Sequence, residues 1–366
     1  MERVLGLINL QHRSESLKEL SNFRTLPAVP FGGKYRLVDF VLSNMVNSGI
    51  NQVGLLLPAR ARSILDHIRS GKAWDLARKR GGLVYLPHEQ NEDAEQDLPI
   101  YYDNLEFVNY SNAEHILVAS GNVVYNMDYE NVLRLHRTMN ADFTLICYIA
   151  AEDQNCMSTV VKTDENGRIT DIAVLTKAKQ GDKLLLGAFL ARKGLFIEVV
   201  QYAIARGGTD FIRDVLIKNF DKYTVYTYTH RGFTARISSL ANYYKANMDL
   251  LKIENWQELF FNPAPIRTKV KDEAPSKYKQ DARVTNSLIA NGCVIEGTVE
   301  NSVIFRNVSI GKNVHVKNSI IMQKCIIGNG SSVENIICDK NVTISIGSML
   351  KGAGSYPLII EKNIII

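Results

Sequence analysis

Short apolar runs alternate with stretches of helical spacing through roughly the first 250 residues. The runs that fit buried strands are VLGLINL, QVGLLLP, HILVAS, DFTLICYIA and TVYTYT. Between them, the segments from Tyr129 to Met139 and from Leu195 to Ala205 have the spacing of helices. This alternation predicts an α/β domain with a Rossmann-like, mostly parallel sheet and helices on both faces. Ligands of such sheets bind beyond the carboxyl ends of the strands, where the SGN turn after HILVA lies.

A different period governs the C-terminal part of the chain. Small aliphatic residues return there every five or six positions, and SIGKNV and IIGNGSSV are the clearest copies. Hexapeptide repeats of this kind build a left-handed parallel β-helix, because each short strand buries its aliphatic side chain only against the next coil. An antiparallel sandwich would need stronger turn signals at longer spacing. The preceding segment is rich in proline and charge, so we predict an α/β domain at 1–255, a linker at 256–282 and a β-helix at 283–366.

Composition narrows the class of protein. The chain has 366 residues, 46% hydrophobic and 22% charged, which is typical of a soluble globular protein with more than one domain. It lacks an apolar run of the roughly 20 residues that a bilayer requires, and its N-terminus lacks the pattern of a signal peptide, so we expect a cytoplasmic protein with no membrane contact. The five cysteines are scattered without metal-ligand spacing, which predicts buried reduced thiols.

The net charge of +5 is modest for this length and favours small anionic ligands over nucleic acid. One local excess of positive charge occurs in PARARSILDHIRSGKAWDLARKRGG, residues 58–82. Two interpretations of this stretch stay open, a solvated helical face and an anion-binding surface.

Several segments carry a resemblance to a known family. LPAVPFGGKYRLVDFVLSNMVNSGI, AWDLARKRGG, NMDYENVLRLH, DENGRI, ISSLANYYKANMDLL and VIEGTVENSVIFRNVSIG closely resemble bacterial glucose-1-phosphate adenylyltransferases, and PAVPFGGKYR is specific to them. The resemblance covers nearly the whole chain. It implies a nucleotidyltransferase-type α/β domain followed by the β-helix. The catalytic members of this family convert glucose 1-phosphate and ATP to ADP-glucose and pyrophosphate for glycogen synthesis.

The chain departs from the family at the positions that bind the triphosphate and the metal ion. Catalytic members have a glycine-rich turn, GGxGxRL, after the first strand; the matching positions are Gln11, His12, Ser14 and Ser16. Side chains there would occupy the space that the phosphates need. The family's two metal-binding aspartates match Asn122 and Arg236. Hard cations prefer anionic oxygen ligands, so we expect no metal, no bound cofactor and no catalytic residues in this chain.

Two substrate motifs are also missing. QDLPIYYDN stands where the family has GTAxAxxQN, and VLT stands where an EKP motif supplies the lysine for the sugar phosphate. Lys177 follows directly after VLT. A residual sugar-phosphate pocket would then consist of Ser120, Asn122, Lys177 and Asp210.

The effector region is retained. Arg24, Lys34 and Arg36 lie where the family binds its anionic effectors, so the resemblance implies a site for phosphorylated sugars or nucleotides. Together with the losses, it implies a non-catalytic regulatory subunit. Such a subunit forms a heterotetramer with a catalytic glucose-1-phosphate adenylyltransferase, which holds the Mg²⁺. Two alternatives stay open, a weakly active adenylyltransferase and a stand-alone sugar-phosphate sensor.

Overall fold

The computed structural model describes residues 3–11, 17–87, 96–153, 157–354 and 356–366. His12, Ser14 and Ser16, three of the four positions of the predicted phosphate turn, lie outside the described residues. The chain forms two compact units. The sheet unit comprises residues 1–13, 40–236 and 261–267, and the coil unit comprises residues 14–39, 237–260 and 268–366.

These units are composed differently from the segments predicted at 1–255, 256–282 and 283–366. Residues 14–39 and 237–260 belong to the same unit as the repeats. A helix at Ile253–Phe261 extends into the segment interpreted as a linker, and the first strand of the β-helix, Lys277–Tyr278, lies inside that segment. The linker prediction relied on the proline and charge content of this segment. A strand in which only two residues pair with the next coil has no apolar pattern that could be recognised there.

A nine-stranded sheet forms the centre of the sheet unit. Its strands in chain order are β1 Val4–Asn9, β2 Gln52–Leu56, β3 Gly82–Leu86, β4 His115–Ser120, β5 Phe143–Ile149, β6 Met157–Thr163, β7 Ile169–Lys177, β8 Lys183–Arg192 and β9 Val225–His230. The main path runs β7-β6-β8-β4-β1-β2-β3, and β5 pairs with both β8 and β9. The predicted strands are confirmed at β1, β2, β4, β5 and β9.

Parallel pairing joins β4, β1, β2 and β3, and also β5 and β9. The long strand β8 runs antiparallel to β4, β5 and β6. Because β1 and β4 are parallel, their last residues, Asn9 and Ser120, lie side by side at one edge of the sheet. This edge is the carboxyl edge at which α/β sheets bind ligands.

Helices cover the sheet. They are Leu37–Asn47, Arg62–Ile68, Asp97–Asp103, Leu105–Tyr110, Glu130–Thr138 and Lys193–Ile204, with a π-helix at Phe211–Ile217. The predicted helices at 129–139 and 195–205 are thereby confirmed to within two residues. Phe211 stacks on Phe189 of β8 with ring centroids 4.5 Å apart, and both belong to the largely buried core. This stacking fixes the start of the π-helix against the sheet.

The coil unit contains a parallel β-helix, as the repeats predict. Its short strands form three parallel sheets of five strands each. One sheet contains Arg283–Thr285, Thr298–Glu300, His315–Lys317, Ser332–Glu334 and Met349–Lys351. Val299, Val316 and Val333 occupy equivalent positions on consecutive coils and are fully buried. Each coil therefore buries its aliphatic residue against its neighbours.

The other two sheets have the same construction. Their strands are Lys277–Tyr278, Val294–Ile295, Ser309–Ile310, Ile326–Ile327 and Thr343–Ile344 in one, and Leu288–Ile289, Val303–Ile304, Ile320–Ile321, Ile336–Cys338 and Leu358–Ile360 in the other. Helices at Leu240–Asp249 and Ile253–Phe261 precede them. The cysteines at 147, 293, 325 and 338 are free and buried, as predicted, while Cys156 lies outside the described residues. The described part of the chain has no helix long and apolar enough to cross a membrane.

Asparagines in the left-handed backbone region turn the coils. They are Asn286, Asn301, Asn307, Asn313, Asn318, Asn335, Asn341 and Asn363. Apart from glycine, asparagine adopts this conformation at the lowest cost, because its short polar side chain bonds locally. A β-branched side chain at such a position would clash with the backbone.

We predict that Asn313→Val destabilises the protein by about 1–2 kcal/mol, whereas Asn313→Gly is neutral or stabilising. Asn313 has a φ of 57° and an exposed side chain, so the change tests the backbone conformation with little loss of packing. The measurement is the urea midpoint of unfolding. Lys312→Val, at the exposed preceding residue, is the matched control and should shift stability by less than about 0.5 kcal/mol. Equal effects of the two valines would contradict the prediction.

Candidate functional site

A cavity of about 320 Å³ opens at the carboxyl edge of the sheet. Asn9 and Ser120, at the ends of β1 and β4, line it, and so do Asp210, the N-cap of the π-helix, and Arg213 of that helix. The position agrees with the ligand site that the sequence predicts beyond the SGN turn. Of the four residues predicted for a residual sugar-phosphate pocket, Ser120, Asn122 and Asp210 line this cavity.

Lys177, the fourth predicted residue, does not line the cavity. A bulge between Ala173 and Thr176 interrupts the pairing of β7 with β6, and Leu175 has a φ of 53°. Val174 and Leu175 line the cavity as a result, while Lys177 is exposed beyond them. Lys177 could take the place of the family's sugar-phosphate lysine only if this segment were shifted, and the bulge leaves Lys177 outside the cavity lining.

The two positions that match the family's metal-binding aspartates meet in the cavity. Thr234–Arg236 pairs with Val123–Tyr125, and the register places Arg236 opposite Val123, next to Asn122. Both Asn122 and Arg236 line the cavity wall. The sequence comparison therefore identified two positions that are distant in the chain and adjacent in space.

Gly187 of β8 lies between Ser120 and Arg236. Its φ is +87°, and a Cβ added there would lie 3.1 Å from Ser120 Cβ and 3.3 Å from Arg236 Nη2. Only glycine adopts this backbone without strain, and a side chain would fill the gap between the serine and the guanidinium. Sequence reasoning missed Gly187, because a single glycine within LLLGAFL reads as an ordinary strand interruption.

The polar groups around Gly187 bond to one another and to the backbone. Ser120 Oγ donates to Asn122 Oδ1 over 2.5 Å, and Arg236 Nη2 donates to the Leu185 carbonyl over 3.1 Å. Among the described residues, no carboxylate lies within ion-pair distance of Arg236. Arg236 therefore presents a guanidinium with further donors to the cavity.

The cavity does not fit the magnesium ion that the catalytic family uses. A guanidinium and an amide stand at the two ligand positions, and Mg²⁺ requires anionic oxygen ligands. The described residues contain no group of three or more His, Cys, Asp and Glu side chains that could hold a metal ion.

Gln11 is the one described residue of the predicted phosphate turn. Its backbone N–H donates to Asn9 Oδ1 over 2.9 Å, and its side-chain Nε2 donates to the Leu57 carbonyl over 3.1 Å. The side chain lines the cavity and is held by these contacts. It occupies a position where the catalytic family has glycine.

Two carboxyl groups, those of Asp97 and Asp210, also line the cavity. Asp97 Oδ1 accepts the backbone N–H of Phe211 over 2.7 Å, and Asp210 Oδ1 accepts that of Arg213 over 2.7 Å. Burial, followed by the nearby charge of Asp210, raises the pKa of Asp97 to about 7. The phenol of Tyr101 bonds to Asp97 and Asn9, and burial raises the pKa of Tyr101 well above its usual value. Sequence reasoning compared this segment only with a missing motif, so it missed Asp97 and Tyr101.

A second cluster of charges, the basic cluster, lies in the coil unit. It consists of Arg24, Lys34, Arg36, Lys271, Arg306, Lys324 and Lys340. The acidic groups beside these seven cations are Asp39, Glu273 and Asp339. The cluster contains all three residues that the sequence predicts for the effector site.

Arg24 differs from the other predicted residues, because it is buried. Its Nη2 forms an ion pair with Asp339 Oδ2 over 2.8 Å, and the two side chains are 4% and 0% exposed. Its Nη1 is buried and has no hydrogen-bond partner among the described residues. Burial, Arg36 and Arg24 together lower the pKa of Lys340 to about 7.

Lys34 and Arg36 lie in the FGGKYR segment, in which Pro30–Phe31 and Tyr35–Arg36 form a short antiparallel pair. Lys34 lies over the ring of Tyr35 at 5.1 Å and retains exposed surface. Partial burial and the charge of Arg306 lower the pKa of Lys34. The same two causes lower the pKa of Lys271. Burial is the larger cause of each shift and the charge of Arg306 the second, so both lysines lie near another cation, where an anion would relieve the repulsion.

The basic stretch at 58–82 contains local ion pairs on its surface. Arg62 Nε lies 3.9 Å from Asp66 on the helix Arg62–Ile68, and Arg78 pairs with Asp75. These exposed pairs fit the interpretation of a solvated face.

Comparisons with known proteins support both halves of the fold. The sequence model of the nucleotidyl transferase family matches residues 14–253, and that of the GlmU-like C-terminal hexapeptide matches residues 271–351. The glycogen biosynthesis protein GlgD of Bacillus subtilis (strain 168) is 35% identical over 99% of this chain and 97% of its own length. GlgD of Geobacillus stearothermophilus is 36% identical over 86% and 83%. The glucose-1-phosphate adenylyltransferase of Mycoplasma mobile is 32% identical over 86% and 85%.

We predict that Asp97→Asn removes part of the pH dependence of stability between about pH 4 and pH 7. The folded carboxyl holds its proton up to about pH 7, whereas the usual pKa is 3.8. Folding therefore favours the protonated form, and this group makes the protein less stable as pH rises through that window. The measurement is the urea midpoint at several pH values for wild type and variant. Parallel curves for the two proteins would refute the assignment.

Proposed function

We propose that this chain, which belongs to the nucleotidyl transferase family, is a regulatory, non-catalytic subunit of ADP-glucose synthesis in glycogen biosynthesis. The observation that carries the proposal is the pair Asn122 and Arg236 in one cavity. The relatives include both GlgD proteins and glucose-1-phosphate adenylyltransferases. At the positions that matter for metal binding, this chain departs from the catalytic pattern.

The physical reason for the loss of catalysis is electrostatic. Adenylyl transfer from ATP requires a cation that neutralises the phosphates as pyrophosphate leaves. The guanidinium of Arg236 opposes a divalent cation in this cavity, and the neutral amide of Asn122 offers little compensation. The carboxyl group of Asp210 also lines this cavity, beside that of Asp97, whose pKa is raised to about 7, so negative charge that develops there would repel a triphosphate.

The basic cluster supports the regulatory part of the proposal. Seven cations face three acidic groups there, and burial and mutual repulsion lower the pKa of several of them. An anion with several negative oxygens relieves that repulsion. Phosphorylated sugars and nucleotides have this chemistry, so we assign effector binding to Lys34, Arg36 and their neighbours. Arg24 contributes its unpartnered Nη1 from within the buried ion pair.

The β-helix supports the assembly part of the proposal. Its C-terminal end exposes large apolar residues, with Ile346, Met349 and Ile365 each at least 75% exposed. Apolar surface of this kind favours contact with another protein. We propose a catalytic glucose-1-phosphate adenylyltransferase subunit as the partner, in a cytoplasmic heterotetramer in which that partner holds the Mg²⁺.

We predict that the purified chain forms no detectable ADP-glucose from ATP and glucose 1-phosphate. The double variant Asn122→Asp, Arg236→Asp should stay inactive as well, because Gln11 still occupies the turn that the phosphates need. The measurement is release of pyrophosphate in the presence of Mg²⁺, with a catalytic relative as the positive control. Activity of the wild-type chain that EDTA abolishes would refute the proposal of a non-catalytic subunit.

We predict that Lys34→Ala weakens activation of the mixed complex by sugar phosphates. The expected loss is about 1.5–3 kcal/mol of effector binding, the range for hydrogen bonds to a charged group. The measurement is the effector concentration for half-maximal activation of the complex with its catalytic partner.

Two control variants show how that result is to be interpreted. Lys34→Arg keeps the charge, so partial retention indicates a mainly electrostatic role, while full loss indicates a shaped phosphate pocket. Lys312→Ala removes an exposed lysine of the β-helix outside the basic cluster and should leave activation unchanged. If Lys34→Ala gives the wild-type activation curve, the effector is sensed by the catalytic partner alone.

A further inference from the structure

We infer that Tyr243 and Asn247 are positioning residues of the proposed effector site, which hold the backbone of the FGGKYR segment so that Lys34 and Arg36 bind their anion without first ordering that segment. The inference rests on the proposed function for the identity of the site. It names two fully buried residues that act on the site through the backbone of the segment. Both belong to the helix Leu240–Asp249.

The turn of this segment needs contacts from outside it to be ordered. Phe31 pairs with Tyr35, which leaves Gly32, Gly33 and Lys34 to form the turn. Both glycines have a positive φ, 57° and 83°. Glycine loses more conformational freedom on ordering than any other residue, so a turn with two of them is costly to hold in one conformation.

The helix Leu240–Asp249 supplies these contacts. Tyr243 and Asn247 are four positions apart, which places them on one face of the helix. The Tyr243 hydroxyl donates to the Pro30 carbonyl over 2.7 Å, and the backbone N–H of Gly32 donates to Asn247 Oδ1 over 3.0 Å. Asn247 Nδ2 donates to the Tyr243 carbonyl over 2.9 Å, which fixes the amide with its oxygen toward Gly32. Because both side chains are fully buried, loss of either bond leaves a buried polar group unsatisfied.

Further contacts leave the segment little freedom to shift. A Cβ added to Gly32 would lie 2.9 Å from Phe260 Cζ, so the turn packs directly on that ring. Tyr35 stacks on the same ring, with centroids 4.7 Å apart. After the turn, the backbone N–H of Arg36 donates to Asp39 Oδ2 over 3.0 Å. The backbone is therefore fixed on both sides of the exposed lysine in the turn.

This arrangement links the two buried residues to effector affinity. An anion that binds to an ordered turn loses less conformational entropy than one that must order the turn as it binds. Tyr243 and Asn247 therefore raise the affinity of Lys34 and Arg36 without adding charge to the site. Loss of one of their hydrogen bonds should weaken anion binding by about three- to tenfold.

The first test measures the order of the turn without any ligand. Tyr243→Phe removes only the hydroxyl and keeps the ring, which packs edge-on against Phe31 with centroids 6.4 Å apart. We expect faster amide hydrogen exchange at residues 32–36 of the full-length chain. Tyr244→Phe is the matched control, because its hydroxyl donates to the Asn318 carbonyl over 2.6 Å, in the β-helix. Unchanged exchange in Tyr243→Phe, or equal acceleration in both variants, would overturn the inference.

The second test is calorimetric titration of the full-length chain with glucose 1,6-bisphosphate as the anionic probe. We expect the dissociation constant to rise about three- to tenfold in Tyr243→Phe and in Asn247→Ala. Tyr244→Phe should bind the probe like the wild type. Each tyrosine variant loses one hydrogen bond to a carbonyl from the same helix, so a purely structural role would affect the two alike.

Lys34→Ala distinguishes failure of this inference from failure of the proposed function. If Lys34→Ala weakens binding of the probe while Tyr243→Phe and Asn247→Ala bind it like the wild type, the inference is wrong and the proposed function stands. If the wild type does not bind the probe at millimolar concentration, or if Lys34→Ala binds it equally well, the effector site of the proposed function is wrong and this inference falls with it.

Discussion

The fixed positive charge of Arg236 is the constraint on which the chemistry of the sheet unit depends. Two unit charges of like sign 4 Å apart repel by about 4 kcal/mol at an effective dielectric constant of about 20, and a divalent cation doubles this. A guanidinium cannot lose its proton to avoid the penalty. The backbone of Arg236 cannot move away from the cavity either, because strand pairing with Val123 fixes it next to Asn122. Any ligand of this cavity must therefore be compatible with a permanent cation.

The coil unit depends on a charge arrangement of another kind. Arg24 and Asp339 are 315 positions apart in sequence and form a buried ion pair over 2.8 Å. Breaking such a pair by removing one partner costs about 3–5 kcal/mol, although replacing both partners by apolar residues can be neutral. Its specific contribution is positional. Asp339 holds Arg24 close to Lys340, whose pKa is lowered to about 7. The other cations of the basic cluster lie around these residues.

The sequence predicted what depends on periodicity. The buried strands, the helices at 129–139 and 195–205 and the β-helix follow from apolar spacing, and the structure confirms them. Residues set by local irregularity were out of reach: the bulge that turns Lys177 away, the positive φ of Gly187 and the burial of Arg24 have no signal in a single sequence. Asn122 and Arg236 were found through family resemblance. Their adjacency, however, depends on a three-residue ladder that is too short to recognise from spacing.

The proposed loss of catalysis follows from the charge of the residues at these two positions. Two aspartates without a metal ion carry two negative charges and repel phosphate; with Mg²⁺ bound they become neutral as a group and attract it through the ion. Asn122 and Arg236 together carry one positive charge at all times. For adenylyl transfer the cavity resembles neither the metal-loaded nor the empty state of a catalytic relative, because a single guanidinium cannot bridge phosphate oxygens on the two sides of the reacting bond as a metal ion does.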